Sequence, residues 1–209
     1  MKKIVIVSFI VALAFNFSAC KSETKKENTD ETTTEAKKSS AVFSLKTAKN
    51  EINFTAYKTT DKVAVGGQFN KVNILTGGEG NSIKEAIHNT EFSIPVSSIF
   101  TKDASRDYKI QKFFFGVMDN TKLLSGKLMI ENDSIGSASI IMNGVTEKVP
   151  FTYTITDKTF SMEATMDVNK WNATAALTSL NKACEVLHTG ADGVSKTWND
   201  VALNVTSSF

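Results

Sequence analysis

Residues that carry cross-links or metal chemistry are scarce in this chain. Cysteine and histidine occur twice each among 209 residues; with Cys20 spent in the N-terminal signal described below, Cys184 has no partner for a disulfide within the chain. His88 and His188 lie on polar stretches outside any metal-ligand pattern, so both read as surface histidines and no metal is expected. An excess of charge of one sign is also missing. Once Lys2 and Lys3 are set aside as part of a leader, 22 basic residues face 22 acidic ones. That balance excludes a nucleic-acid binder, which needs a basic surplus. The chain also lacks a run of about 18 apolar residues, the length that a membrane span requires. Gly77-Gly-Glu-Gly80 has neither the lysine nor the strand-helix context of a phosphate cradle.

The N-terminal residues read as a sorting signal. Lys2 and Lys3 precede an apolar run from Ile4 to Phe15, and small residues then lead to a cysteine in Phe17-Ser-Ala-Cys20. The pattern resembles the lipobox of bacterial lipoproteins, with Phe17 where leucine is usual. It implies a signal peptide over residues 1–19, cleavage before Cys20 and lipidation of its thiol. Two or three acyl chains would hold the protein on a membrane surface without crossing it. Lys21 stands where an aspartate would mark inner-membrane retention. The expected location is therefore the cell envelope, at the outer membrane facing the periplasm, with surface exposure as a variant. From Lys21 to Ser40 the only apolar residue is Ala36. Such a segment buries too little to fold, and with Cys20 it forms a lipidated tether over residues 20–40. As a coil it spans on the order of 25 Å.

Residues 41–209 leave room for one domain with a real core. Period-two alternation dominates it. Ile52, Phe54 and Ala56 share one face of a strand. A strand from Val63 is expected to bend at Gly66-Gly67, by a bulge or a close approach. Further strands are predicted at Glu91–Val96, Thr121–Ile130, Gly136–Met142, Lys148–Thr156, Thr159–Asp167 and Asp200–Thr206. Polar turns such as Asn143-Gly144 join them, which favours antiparallel pairing and a closed or nearly closed barrel. Two segments turn helical. Asp103–Phe115 stops at Gly116, and Trp171–Leu187 carries an apolar stripe that includes Cys184. Cys184 reads as a buried inert thiol, with a nucleophile as the rival reading. Ser82 and Glu85 stand at capping-box spacing, which predicts a third short helix.

Several motifs together resemble the YceI-like family over most of residues 41–209. They are Gly67-Gln-Phe-Asn-Lys-Val72; Ser97-Ser-Ile-Phe-Thr101 followed by Arg106-Asp107 and Phe113-Phe-Phe115; Ile140-Ile-Met-Asn-Gly-Val-Thr-Glu-Lys-Val149; and Asp192-Gly-Val-Ser-Lys-Thr-Trp198. Many members follow the Arg-Asp pair with a residue and then His-Leu; this chain has Tyr108-Lys109-Ile110. The resemblance implies a mainly β fold, an extended antiparallel lipocalin-like β-barrel of about eight strands with one or two short helices. It also implies a polyisoprenoid or isoprenoid quinone bound inside, with no cofactor required and no enzyme activity. A barrel of about eight strands can hold one such ligand.

The ligand-binding candidates are Phe54, Phe69, Ile99, Arg106, Asp107, Phe113, Phe114 and Phe115, with Cys20 as the lipidation site. The phenylalanines serve equally well as lumen lining or as plain core. Asp103, Arg106 and Asp107 serve as a polar mouth for a head group, or as a helix cap with an ion pair. Fourteen phenylalanines suit a smooth apolar tunnel and a solid core alike. The partners expected are an isoprenoid lipid and the membrane that holds the anchor. Oligomeric state stays open, a dimer included. Two rival functions stand beside lipid binding: a packed domain that only binds other proteins, and an enzyme acting on an envelope lipid.

Overall fold

The computed structural model describes residues 40–209, and the expected signal peptide, the expected lipidation site Cys20 and almost all of the expected tether lie outside them. Alternation and turn chemistry produce twelve strands in the described part. In chain order they are β1 (Phe43–Ser44), β2 (Lys49–Lys58), β3 (Val63–Phe69), β4 (Asn73–Thr76), β5 (Glu79–Gly80) and β6 (Glu91–Pro95). Then come β7 (Ile99–Phe100), β8 (Leu123–Ile130), β9 (Ile135–Met142), β10 (Val145–Thr156), β11 (Thr159–Asp167) and β12 (Asp200–Ser208). Ten of them form one antiparallel sheet in the order β4-β6-β8-β9-β10-β11-β12-β2-β3-β7. The sheet is mainly meander because tight turns force neighbours in sequence to pair. Asn143 and Gly144 both take positive φ between β9 and β10, the geometry of a two-residue hairpin matched to strand twist.

The sheet curls into a half-barrel whose ladder ends at β4 on one edge and β7 on the other. The expected barrel is thus present, with ten strands in its sheet where about eight were foreseen. The extra members are short: β4 has four residues and β7 has two, too few for periodicity to reveal them. Gly66 and Gly67 produce no bulge. Register runs unbroken from Ile52↔Phe69 to Lys58↔Val63.

Four helices fill the gaps. Helix α1 (Ile83–Ile87) is capped as its sequence dictates: the Ser82 hydroxyl accepts from the Glu85 N–H at 3.2 Å, and Glu85 reaches back to the Asn81 N–H at 2.8 Å. Helix α2 (Ala104–Lys109) is capped by Asp103. Helices α3 (Thr174–Ala183) and α4 (Glu185–His188) occupy the second predicted helical segment. That segment starts late because Asn172 is left-handed, with φ 56°. No helix among the described residues is long and apolar enough to cross a membrane.

The core is packed at its two ends. One cluster gathers Trp171, Phe114, Phe115, Met118 and Val149; the other gathers Phe151, Tyr153, Phe160, Ile83, Ile87 and Leu45. Trp171 is wholly buried and its indole N–H donates to the Ile140 carbonyl at 3.0 Å, so the largest side chain leaves no polar group unpaired.

Candidate functional site: an apolar cavity in the barrel

Between these ends the inward side chains enclose a cavity of about 230 Å³. Every strand of the ten-stranded sheet contributes, and the longer ones give alternate residues: Ile52, Phe54 and Ala56 from β2; Ala138, Ile140 and Met142 from β9; Phe160, Met162, Ala164 and Met166 from β11. Period-two geometry allows nothing else, since odd and even side chains leave opposite faces of a strand. The polar members are few: Asn50, Thr90 and Ser207 at the α1 end, with Thr197 and the Trp198 indole at the α3 end. Ser207 donates to Asn50 at 2.7 Å, Thr90 to the Ala86 carbonyl at 2.7 Å, and the Trp198 indole to the Thr59 carbonyl at 2.7 Å. Their hydrogen bonds are therefore made within the wall.

The space stays open partly through a repeated pairing of phenylalanine with glycine. Phe54 lies opposite Gly67, Phe92 opposite Gly126, and Phe151 opposite Gly136. A Cβ on Gly67 would meet the Phe54 ring, one on Gly126 the Phe92 ring, and one on Gly136 the Phe151 ring. Each ring lies down over a facing strand that has no side chain at that point. Phe54 and Phe92 thereby line the cavity as flat panels.

The α3 end is lidded by a wide turn. After α2, residues Ile110–Phe114 form a π-helical turn in which the Phe115 N–H reaches the Ile110 carbonyl, five residues back. In an α-helix, Phe113 and Phe114 would share the face of Ile110. The wider turn moves that face on by one residue. Ile110, Phe114 and Phe115 line the cavity beside Leu177 and Leu180 of α3, and Phe113 is left outside the lining, edge-on to Tyr108 and under the Lys112 ammonium.

Of the sequence candidates, the fold brings Phe54, Phe69, Ile99, Phe114 and Phe115 onto one cavity and leaves Arg106, Asp107 and Phe113 off it. Asp107 accepts the Thr101 N–H at 2.8 Å and the Thr101 hydroxyl at 2.6 Å, tying α2 to β7. Arg106 reaches Asp103 at 3.5 Å on the exposed side of α2, and N–H donors of the first turn hold the Asp103 carboxyl below its usual range. Phe92, Leu177, Leu180, Met142, Met162 and Met166 also line the cavity, though none stands among the ligand-binding candidates read from the sequence. Alternation on β6 and the stripe on α3 already mark most of them as inward.

Both histidines are half-buried, contrary to the exposed setting expected of them. His88 accepts the Ile130 N–H through Nδ1 at 3.1 Å, which fixes the end of β8 to α1. His188 lies 2.7 Å from the Thr197 hydroxyl, and that hydroxyl donates to Asn181 Oδ1 at 2.9 Å. His188 Nδ1 must then carry the hydrogen. Burial first, and then Lys58 and Lys109, push its pKa down to about 4. Burial also raises the Cys184 thiol, the opposite of what a nucleophile needs. No cluster of metal-binding side chains occurs among the described residues.

The family model described as YceI-like domain matches residues 43–209. Among solved structures, the chain is similar to a polyisoprenoid binding domain from Saccharophagus degradans, implicated in plant cell wall breakdown. Identity there is 12%, TM-score 0.53, with 76% of this chain and 93% of that one covered. It is also similar to BcnA of Burkholderia cenocepacia, at 12% identity and TM-score 0.50, covering 79% of this chain and 98% of that one. At such identities the likeness is one of fold. A comparison with curated proteins gives no match.

Proposed function

The chain belongs to the YceI-like family, and from that premise we propose that it is a non-catalytic binding protein whose barrel holds the apolar chain of a polyisoprenoid or isoprenoid quinone. The observation that carries this reading is the cavity itself, walled by alternate apolar residues of nearly every strand and kept open by rings laid on glycines. Each methylene withdrawn from water contributes about 0.8 kcal/mol, so a chain of tens of carbons needs such a wall to leave a membrane. The Saccharophagus degradans domain, named for polyisoprenoid binding, supports the choice of ligand.

The cavity is smaller than the roughly 300–1,000 Å³ usual for small-molecule sites. A long ligand therefore enters by moving side chains, and Met142, Met162 and Met166 supply unbranched, adaptable ones. The same modest volume is what favours the second reading, a packed interaction domain without ligand. A thermal melt of the full-length chain separates them. A polyprenol or an isoprenoid quinone should raise Tm in a dose-dependent way, by about 2.7 kcal/mol of added stability at about 100 times Kd. No shift with any isoprenoid would favour the packed domain.

Lipidation of Cys20 and a tether over residues 20–40 complete the proposal. They place the domain at the outer membrane, facing the periplasm, where a short tether suits local storage or hand-over better than long-range shuttling.

A further inference from the structure

Beside the turn that follows β1, a groove of about 460 Å³ opens on the surface. Its polar lining is Lys46, Lys71, Asn50, Asn70 and Asn73, and no carboxylate contributes. Leu45, Asn50, Val72 and Ile74 border this groove and the apolar cavity alike. The groove and the cavity are therefore neighbours that share one wall of four side chains.

The groove's polar groups differ in what they have to spare. Asn50 is committed: it donates to the Leu45 and Ala48 carbonyls and accepts from Ser207, so it holds the edge of the turn. Lys46 and Lys71 are exposed and take part in none of the ion pairs found among the described residues. Asn70 accepts from Gln68 through its carbonyl oxygen at 2.6 Å, which leaves its NH2 to donate. At the α3 end of the cavity the polar groups that line it are already committed. There the Thr197 hydroxyl is spent on Asn181 and the Trp198 indole N–H on Thr59.

We propose, resting on the lipid-binding reading above, that this groove receives an anionic, phosphate-type head group, so that the preferred ligand is a polyprenyl phosphate and not a neutral quinone. Two ammonium groups and an amide donor give charge-assisted hydrogen bonds to phosphate oxygens. A quinone carbonyl offers them no charge to answer. Because the lysines face solvent, the preference is modest and weakens with salt.

The test is titration calorimetry on the full-length chain with farnesyl phosphate, farnesol and inorganic phosphate as probes. At low salt farnesyl phosphate should bind about tenfold tighter than farnesol, the scale expected of two exposed charge pairs. Lys46→Gln with Lys71→Gln should bring the two affinities together while farnesol binding stays unchanged; both side chains are exposed, so the fold is not at stake. Equal affinities in the unaltered protein would overturn the head-group assignment and leave the lipid reading standing. Inorganic phosphate binding as tightly as farnesyl phosphate, with farnesol silent, would overturn both.

Discussion

Three phenylalanine-glycine pairs shape the interior one residue at a time. The Gly67→Ala substitution tests this, since its Cβ would stand 2.3 Å from the Phe54 ring and 2.8 Å from the Thr101 methyl. The ring must swing toward the lumen. Overpacking of this kind costs about 1–3 kcal/mol, and ligand should bind more weakly. Adding Phe54→Leu should restore much of the stability. Denaturant melts with a ligand titration check both, and an unchanged Gly67→Ala protein would show that the rings do not depend on the glycines. His188 gives a pH-dependent outcome. Its pKa falls from 6.5 to about 4 on folding. Between those values the unfolded chain binds a proton that the folded chain refuses, so stability is full above pH 6.5 and declines as pH drops toward 4. Half-buried as it is, the residue should contribute about 1–2 kcal/mol to this slope after allowance for solvent. Urea unfolding from pH 4 to 8 should show a shallower decline in His188→Asn. At this scale the sequence was readable for Phe54 and Phe69, which alternate inward. It was not for the histidines, whose partners Ile130 and Thr197 come from other strands or loops.

At the scale of elements, the wide turn after α2 decides which aromatic residues face the cavity. Sequence alone offers Phe113, Phe114 and Phe115 as equals, because an α-helical spacing and a one-residue insertion read alike in a run of three. The hairpin at Asn143-Gly144 shows the reverse case. Its turn chemistry is legible, but its wider role is not. The Asn143 side chain donates to the Trp171 carbonyl at 2.8 Å and accepts the Asp119 N–H at 2.8 Å, joining three segments at one end of the barrel. Asn143→Gly keeps the positive φ of the turn and removes both bonds, together with a longer one to the Asn172 carbonyl at 3.4 Å. It should lower stability by about 1–3 kcal/mol, since these backbone groups lose their partner, as read by thermal melts. A neutral result would reduce Asn143 to a turn residue. Strand positions were mostly legible for the same reason that the hairpin was. Thr159–Asp167 is read directly from alternation and matches β11, whereas β1, β5 and β7 hold two residues each and carry no period.

Residues 40–209 form a curled half-barrel, packed at both ends and open between them. That arrangement was out of reach of the sequence, because one pattern of inward apolar residues describes a solid core and a lined cavity equally well. Only the seating of rings on glycines, and the widened turn that sets Phe114 and Phe115 beside Leu177 and Leu180, separate the two. The proposed function requires that this space hold a chain lipid. Native mass spectrometry of the full-length chain from its producing cells, followed by organic extraction, tests that claim most directly. The expected result is a bound species of about several hundred daltons that extracts as an isoprenoid, on the scale of one ligand per barrel of this size. Bare protein mass throughout, also after incubation with polyprenols and isoprenoid quinones, would contradict it.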